Sequence, residues 1–109
     1  MKRGDVVVAV IPGDLGKPRP AIVVQADVLG EETRSVIVCP LSSEIAGTPL
    51  LRPIVEPSVE NGLRVRSQIM TDKLIALRRE GLRRTIGVLE EEARERLDRA
   101  LLIVLGLTR

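Results

Sequence analysis

Apolar residues along this chain follow two rhythms. In the first two thirds they come in short runs cut by Gly, Pro and Asp. In the last twenty or so positions they recur at helical spacing. Val6 to Ile11 is an unbroken apolar run between Gly4-Asp5 and Pro12-Gly13, and it predicts a buried strand. Pro12 to Pro18, PGDLGKP, predicts a loop, because its two Gly, two Pro and Asp sustain neither helix nor ladder. Ala21 to Ala26 and Ser35 to Leu41 predict a second and a third strand around a turn at Leu29 to Thr33, with Pro40 marking an end or an edge of the third. Ser42 to Pro49 is turn-like, with room for one helical turn at Ser43 to Ala46. Leu51 to Glu56 contains Pro53 and predicts an edge strand. After the Asn61-Gly62 turn, Leu63 to Met70 alternates. Leu63, Val65, Ser67 and Ile69 share one face, and Arg64, Arg66, Gln68 and Met70 share the other. That pattern predicts a half-exposed strand with two arginines pointing out.

Glu90 to Leu105 predicts a helix. Ala93, Leu97, Leu101, Val104 and Leu105 form one stripe. Glu90, Glu91 and Glu92 occupy its first turn, where the helix dipole favours anions, and Gly106 is placed to end it. Glu92 with Arg96 and Glu95 with Arg99 are spaced for i,i+4 pairing. Leu102 and Ile103 widen the apolar face beyond one stripe, as a dimer contact would require. Short strands followed by one helix predict a mainly β domain with a C-terminal helix, a small bent antiparallel sheet or barrel with the helix docked on it. The 109 residues suit one such domain, 1–109, and there is no internal repeat.

Composition narrows the chemistry. Apolar residues make up 44% of the chain and none is aromatic, so the core is aliphatic and no ring is available to stack on a base. There is no His, which removes His-based acid–base pairs, Ser-His-Asp triads and most transition-metal sites. No Walker-type loop, GxGxxG or carboxylate cage is present. The lone Cys39 lies in an apolar stretch and reads as a small buried hydrophobe, which suits a reducing cytoplasm. MKRGD offers no apolar h-region for a signal peptide, and no run reaches the roughly 18 residues of a membrane span. The net charge of +2 names no partner, but residues 64–84 carry seven cations against Asp72 and Glu80. Such an excess suits a polyanion or an acidic protein segment, and equally a solvated strand and turn.

Within GKPRPAIVV, residues 16–24, Arg19 stands between Pro18 and Pro20. Pro18 fixes its own φ and Pro20 pushes Arg19 toward extended angles, so the arginine has few conformations to lose. Its planar fork matches two phosphate oxygens. Taken alone, it reads more readily as an ordinary surface arginine at a strand entrance. Ser42 and Ser43 follow the third strand as hydroxyl donors, or as caps of a short turn.

The order RGDVVVAVI, GKPRPAIVVQAD, SVIVCPLSS, RSQIMTDKL, TIGVLEEE and a final helix ending LGL resembles the MazF/PemK family of toxin endoribonucleases over nearly the whole chain. The resemblance implies an SH3-like β-barrel with a C-terminal helix, a homodimer, cleavage of single-stranded RNA with no metal or cofactor, and neutralisation by a cognate antitoxin through an acidic, apolar-rich C-terminal segment. It implies attack of the RNA 2′-OH on the adjacent phosphodiester, giving a 2′,3′-cyclic phosphate and a 5′-OH. It places catalysis on Arg19 and Ser42, and substrate binding on Gly16, Lys17, Ser43 and Gln68. Arginine is a poor general base, with a pKa above about 12, so charge stabilisation is its expected part. The loop between the first and second predicted strands is shorter here than is common in the family. Two alternatives remain: a gyrase-binding toxin of the CcdB type, whose Trp-Gly-Ile tail has no counterpart in Gly-Leu-Thr-Arg, and a barrel that binds RNA or protein without cutting.

Overall fold

A computed structural model of the protein describes residues 1–14 and 16–108. Seven strands and one helix follow in order: β1 (Asp5–Val10), β2 (Pro18–Val23), β3 (Ser35–Ser42), β4 (Ile54–Val55), β5 (Ser67–Ile69), β6 (Ile75–Arg78), β7 (Leu82–Val88) and α1 (Glu91–Val104). They form one antiparallel, strongly bent sheet in the order β4-β5-β3-β2-β1-β7, with β6 also paired to β3. The sheet and docked helix match the predicted barrel-like class.

The bend follows from β3. Along one edge, its residues 35–38 pair with β6 and residues 41–42 pair with β5. Pro40 lies between these two ladders and is buried. It has no N–H to leave unpaired where the edge changes partner, and its carbonyl accepts from Met70 N at 2.8 Å. Pro40 therefore marks neither an end nor an edge: β3 runs on through it to Ser42 with partner strands on both sides.

Two aliphatic clusters fill the bent sheet. Val6, Ile22, Cys39, Leu41 and Ile69 pack with Leu89, Ala93, Leu97 and Leu101 of the helix side. Val7, Ala9, Ala21, Val23, Val36, Val38 and Leu77 form the other. β1 gives Val6 to the first core and Val7 and Ala9 to the second, Ile11 follows into the second, and Val8 and Val10 stay half-buried.

Several further expectations are revised. Leu63 to Met70 is not one alternating strand, since only Ser67–Ile69 pairs and all three residues are buried. β5 lies between β3 and β4, so neither edge nor face is free, and Gln68 is inside rather than beside the exposed Arg64 and Arg66. Ser43 to Ala46 forms no helical turn. The helix buries Ala100 with Ala93, Leu97 and Leu101, and leaves Leu105 exposed. Among the described residues Glu92 pairs with Arg96 at 2.7 Å, whereas Glu95 and Arg99 form no ion pair. The helix ends in a Schellman motif, with Leu107 N donating to Leu102 O at 2.8 Å and Gly106 N to Ile103 O at 3.0 Å.

A polar knot joins the 56–63 loop to the helix entrance. Asn61 is fully buried. Its Nδ2 donates to Glu56 O at 2.9 Å and to Glu90 Oε1 at 3.1 Å, and its Oδ1 accepts from Ser58 N and Leu63 N. Ser58 Oγ donates to Glu90 Oε2 at 2.8 Å. The knot closes only because Gly62 and Gly87 lack side chains: a Cβ on Gly62 would lie 2.1 Å from Ile86 O, and one on Gly87 would lie 2.3 Å from Asn61 C.

Burial alone would raise the Glu90 pKa, but hydrogen bonds from Ser58, from its own backbone N–H and from Asn61 outweigh it and hold the carboxyl below the ordinary value of 4.5. A depressed folded pKa contributes stability above the unfolded value and loses it as pH falls through the folded one. Glu90→Gln is therefore expected to be less stable than wild type at pH 7, with the difference shrinking as pH falls through the depressed Glu90 pKa, as read by urea denaturation across a pH series. Burial also pushes the Cys39 thiol up to about 12, against a smaller lowering by Arg3. In the native protein at pH 8 a disulfide thiol reagent should leave Cys39 unmodified, and denaturation should release one reactive thiol; rapid native labelling would contradict the burial.

Candidate functional site

β2 and β3 run antiparallel with Ala21 opposite Pro40. Beyond that last pair β2 reaches back to Pro18 and β3 runs on to Ser42, so Arg19 and Ser42 lie toward the same end of the two strands. The start of β2 and the end of β3 thus meet at one rim of the sheet. Arg19 Nη1 lies 3.5 Å from Leu41 O, a weak contact that leaves its protons available. Arg19 Nε is held at 2.6 Å by Asp14 Oδ2. This ion pair fixes the plane of the guanidinium and turns its Nη groups toward β3. The arginine side chain keeps 35% of its exposure, so it is positioned without being sealed.

The β1–β2 loop delivers Asp14. Val10 pairs with Pro18 and Ala9 with Arg19, so the intervening residues must turn back over the strand ends. Asp14 N donates to Ile11 O and Lys17 N to Asp14 O, which tightens that return. Both prolines of the strand sit in register, Pro18 opposite Val10 and Pro20 opposite Val8.

Arg19 and Ser42 line a groove of about 920 Å³. Six cations reach its walls: Lys17, Arg19, Arg52, Arg64, Lys73 and Arg84. Asp14 and Glu44 are the described carboxylates that line it. Arg52 is committed to Asp72 through two 2.8 Å bonds. Hydrogen bonds from Arg52 hold the Asp72 carboxyl below its ordinary value. Among the described residues Lys17, Arg64, Lys73 and Arg84 make no ion pair, so the groove keeps a net positive field. The cation-rich stretch 64–84 is divided by the fold. Arg64, Lys73 and Arg84 face the groove, Arg66 pairs with Glu56 at 2.9 Å, and Arg79 donates to Thr33 and Gly30 carbonyls.

Ser42 Oγ accepts from Glu44 N at 3.1 Å, which leaves its hydroxyl proton with only a distant acceptor, Glu44 O at 3.4 Å. Ser43 is exposed and also lines the groove, as does Lys17. Gly16 is exposed with φ +75° and is not among the described groove residues. Gln68 is fully buried and is not among the described groove residues. Its Oε1 accepts from Ala46 N at 2.9 Å and so pins the loop that follows Ser42. The structure therefore gathers Arg19, Ser42, Ser43 and Lys17 and sets Gly16 and Gln68 apart. Asp14 was not foreseen: its spacing of five from Arg19 belongs to no periodic pattern, and only the hairpin register joins the two.

Among the described residues no three His, Cys, Asp or Glu side chains gather, and no helix is long and apolar enough to cross a membrane. In sequence, the chain is 40% identical over 108 residues to a Mycolicibacterium smegmatis protein named probable endoribonuclease MazF, covering 98% of each chain. In structure, it superposes with TM-score 0.83 and 20% identity on a mycobacterial endoribonuclease solved with its cognate antitoxin, covering 100% of this chain and 98% of that one. A MazF from Deinococcus radiodurans gives TM-score 0.80 at 18% identity, covering 97% and 96%. At these identities the two solved structures speak for the fold. The family described as PemK-like, MazF-like toxins of type II toxin–antitoxin systems matches residues 2–105, and the chain belongs to it.

Proposed function

We propose that the protein is a toxin endoribonuclease that cleaves single-stranded RNA in the Arg19–Ser42 groove. The observation that carries this reading is the shared groove, where the Asp14-held guanidinium of Arg19 and the hydroxyl of Ser42 line one cationic channel. The nucleophile is the substrate's own 2′-OH. Its oxygen forms a bond to phosphorus, the bond from phosphorus to the 5′ oxygen breaks, the 2′ proton departs and the leaving oxygen gains one. The products are a 2′,3′-cyclic phosphate and a 5′-OH, so neither a protein nucleophile nor a metal is called for.

The protein's work is positioning and charge. Lys17, Arg64 and Arg84 attract the backbone, making binding salt-sensitive. Arg19 meets the negative charge that grows on the non-bridging oxygens, and Ser42 donates to one of them. Asp14 keeps the guanidinium planar to the site, so little reorganisation is left for the reacting state. Gln68 acts at one remove, by holding the 43–46 loop.

The same cationic groove suits the acidic, apolar-rich segment of an antitoxin, which would occupy the RNA path and block it. A second copy of the chain is assigned to the exposed apolar end of α1, where Leu102, Ile103 and Leu105 stand in solvent. The cytoplasm is the compartment in which such a toxin meets its RNA. No feature favours gyrase binding over cleavage.

Arg19→Ala is expected to lower the RNA cleavage rate by about 10²–10³ or more, and Ser42→Ala by about 10²–10³, with each melting temperature within a few degrees of wild type. Rates on a fluorogenic RNA strand check this. Wild-type rates in folded Arg19→Ala would remove the groove from the chemistry, and equal cleavage by Ser42→Ala would shift the donor role to Ser43.

A further inference from the structure

The groove does not stop at Arg19. Beyond the guanidinium lies a second hollow of about 270 Å³, walled by Ile11, Pro12, Pro40, Met70 and Ile75. The two cavities share Asp14, Arg19, Met70 and Lys73. They are successive stations on one path, the first cationic and the second mainly apolar.

Lys73 stands where they join. It ends a single 3-10 turn, Thr71–Lys73, whose backbone is held from several sides. Met70 N donates to Pro40 O at 2.8 Å and Lys73 N to Met70 O at 3.0 Å. Thr71 Oγ1 donates to Leu51 O, and the neighbouring Asp72 is committed to Arg52. Among the described residues Lys73 has no carboxylate partner. The fold thus presents an uncommitted ammonium on a fixed turn, at the boundary between a charged channel and an apolar slot.

A ligand that fits this arrangement carries an anion beside a compact, largely apolar body, and a nucleotide meets both conditions. We propose that the slot takes the base of the nucleotide adjoining the cleaved phosphate, and that Lys73 holds the phosphate of that nucleotide. With no aromatic residue in the chain, the base is sandwiched by proline rings, Met70 and aliphatic branches. The inference rests on the groove being an RNA site and deepens it. Recognition then has a part on each side of Arg19, and the slot is where base preference next to the cut is set.

Isoleucine methyl labelling can separate the stations, because Ile11 and Ile75 line only the slot and Ile86 lines only the groove. The probes are the four homopolymeric tetranucleotides of 2′-O-methyl RNA, which cannot be cut. The expected result is that at least one of them shifts all three methyls. Replacing one of its nucleotides by an abasic unit should then abolish the Ile11 and Ile75 shifts and spare that of Ile86. Lys73→Ala should weaken binding about tenfold. Shifts confined to Ile86 with all four probes, or indifference to every abasic position, would overturn the slot. Absence of any shift would overturn the groove reading along with it. Slot shifts in a wild-type protein that cuts no RNA would leave the slot standing and contradict the catalytic reading instead.

Discussion

Strand β3 is the member on which the rest of the molecule depends, because it alone must satisfy β2 on one edge and both β5 and β6 on the other. That demand bends the sheet. The bend creates two aliphatic cores in place of one, lets α1 close the first of them, and brings the end of β3 to the rim where β2 begins. Pro40 marks the point at which the two ladders on its edge change over. Replacing it would return an N–H to a buried place already shaped around its absence. Everything assigned to the groove follows from this pairing, since Arg19 and Ser42 come from strands that face each other only in this register.

Charge in the site is managed by commitment. Three arginines near the groove are tied to carboxylates: Arg19 to Asp14, Arg52 to Asp72 and Arg66 to Glu56. The pairs differ in consequence. Arg52–Asp72 braces the turn that carries Lys73. Arg19–Asp14 engages the Nε side of the guanidinium and leaves the side chain partly exposed. A phosphate arriving there meets a donor whose conformational entropy has already been reduced, first by Pro18 and Pro20 and then by Asp14. With neither histidine nor aromatic ring, the chain relies on geometry where other nucleases use reactive side chains or stacking.

Much of this was legible in the sequence, and what was not has definite causes. The strands β1 to β3 and the helix showed because their apolar periods are uninterrupted. Arg19 showed because prolines on both sides are an unusual way to hold an arginine. β7 did not show: register shifts between Val6 and Val7 and between Val8 and Ala9 break its period, and Arg83, Arg84 and Thr85 are exposed in succession. Gln68 was assigned to the wrong face because alternation assumes a strand with one wet side, whereas β5 is enclosed on both. Asp14 was invisible for a different reason, its role being created by the closing of a hairpin rather than by any local pattern.

The central claim is that the protein supplies charge and position while the RNA supplies the nucleophile. The most direct measurement is the chemistry of the ends made by the purified protein on single-stranded RNA in excess EDTA. The account predicts fragments with a 5′-hydroxyl, open to phosphorylation by a polynucleotide kinase, and a 2′,3′-cyclic phosphate on the other side of each cut. Fragments bearing 5′-phosphates, or cleavage that ceases when divalent ions are chelated, would contradict it.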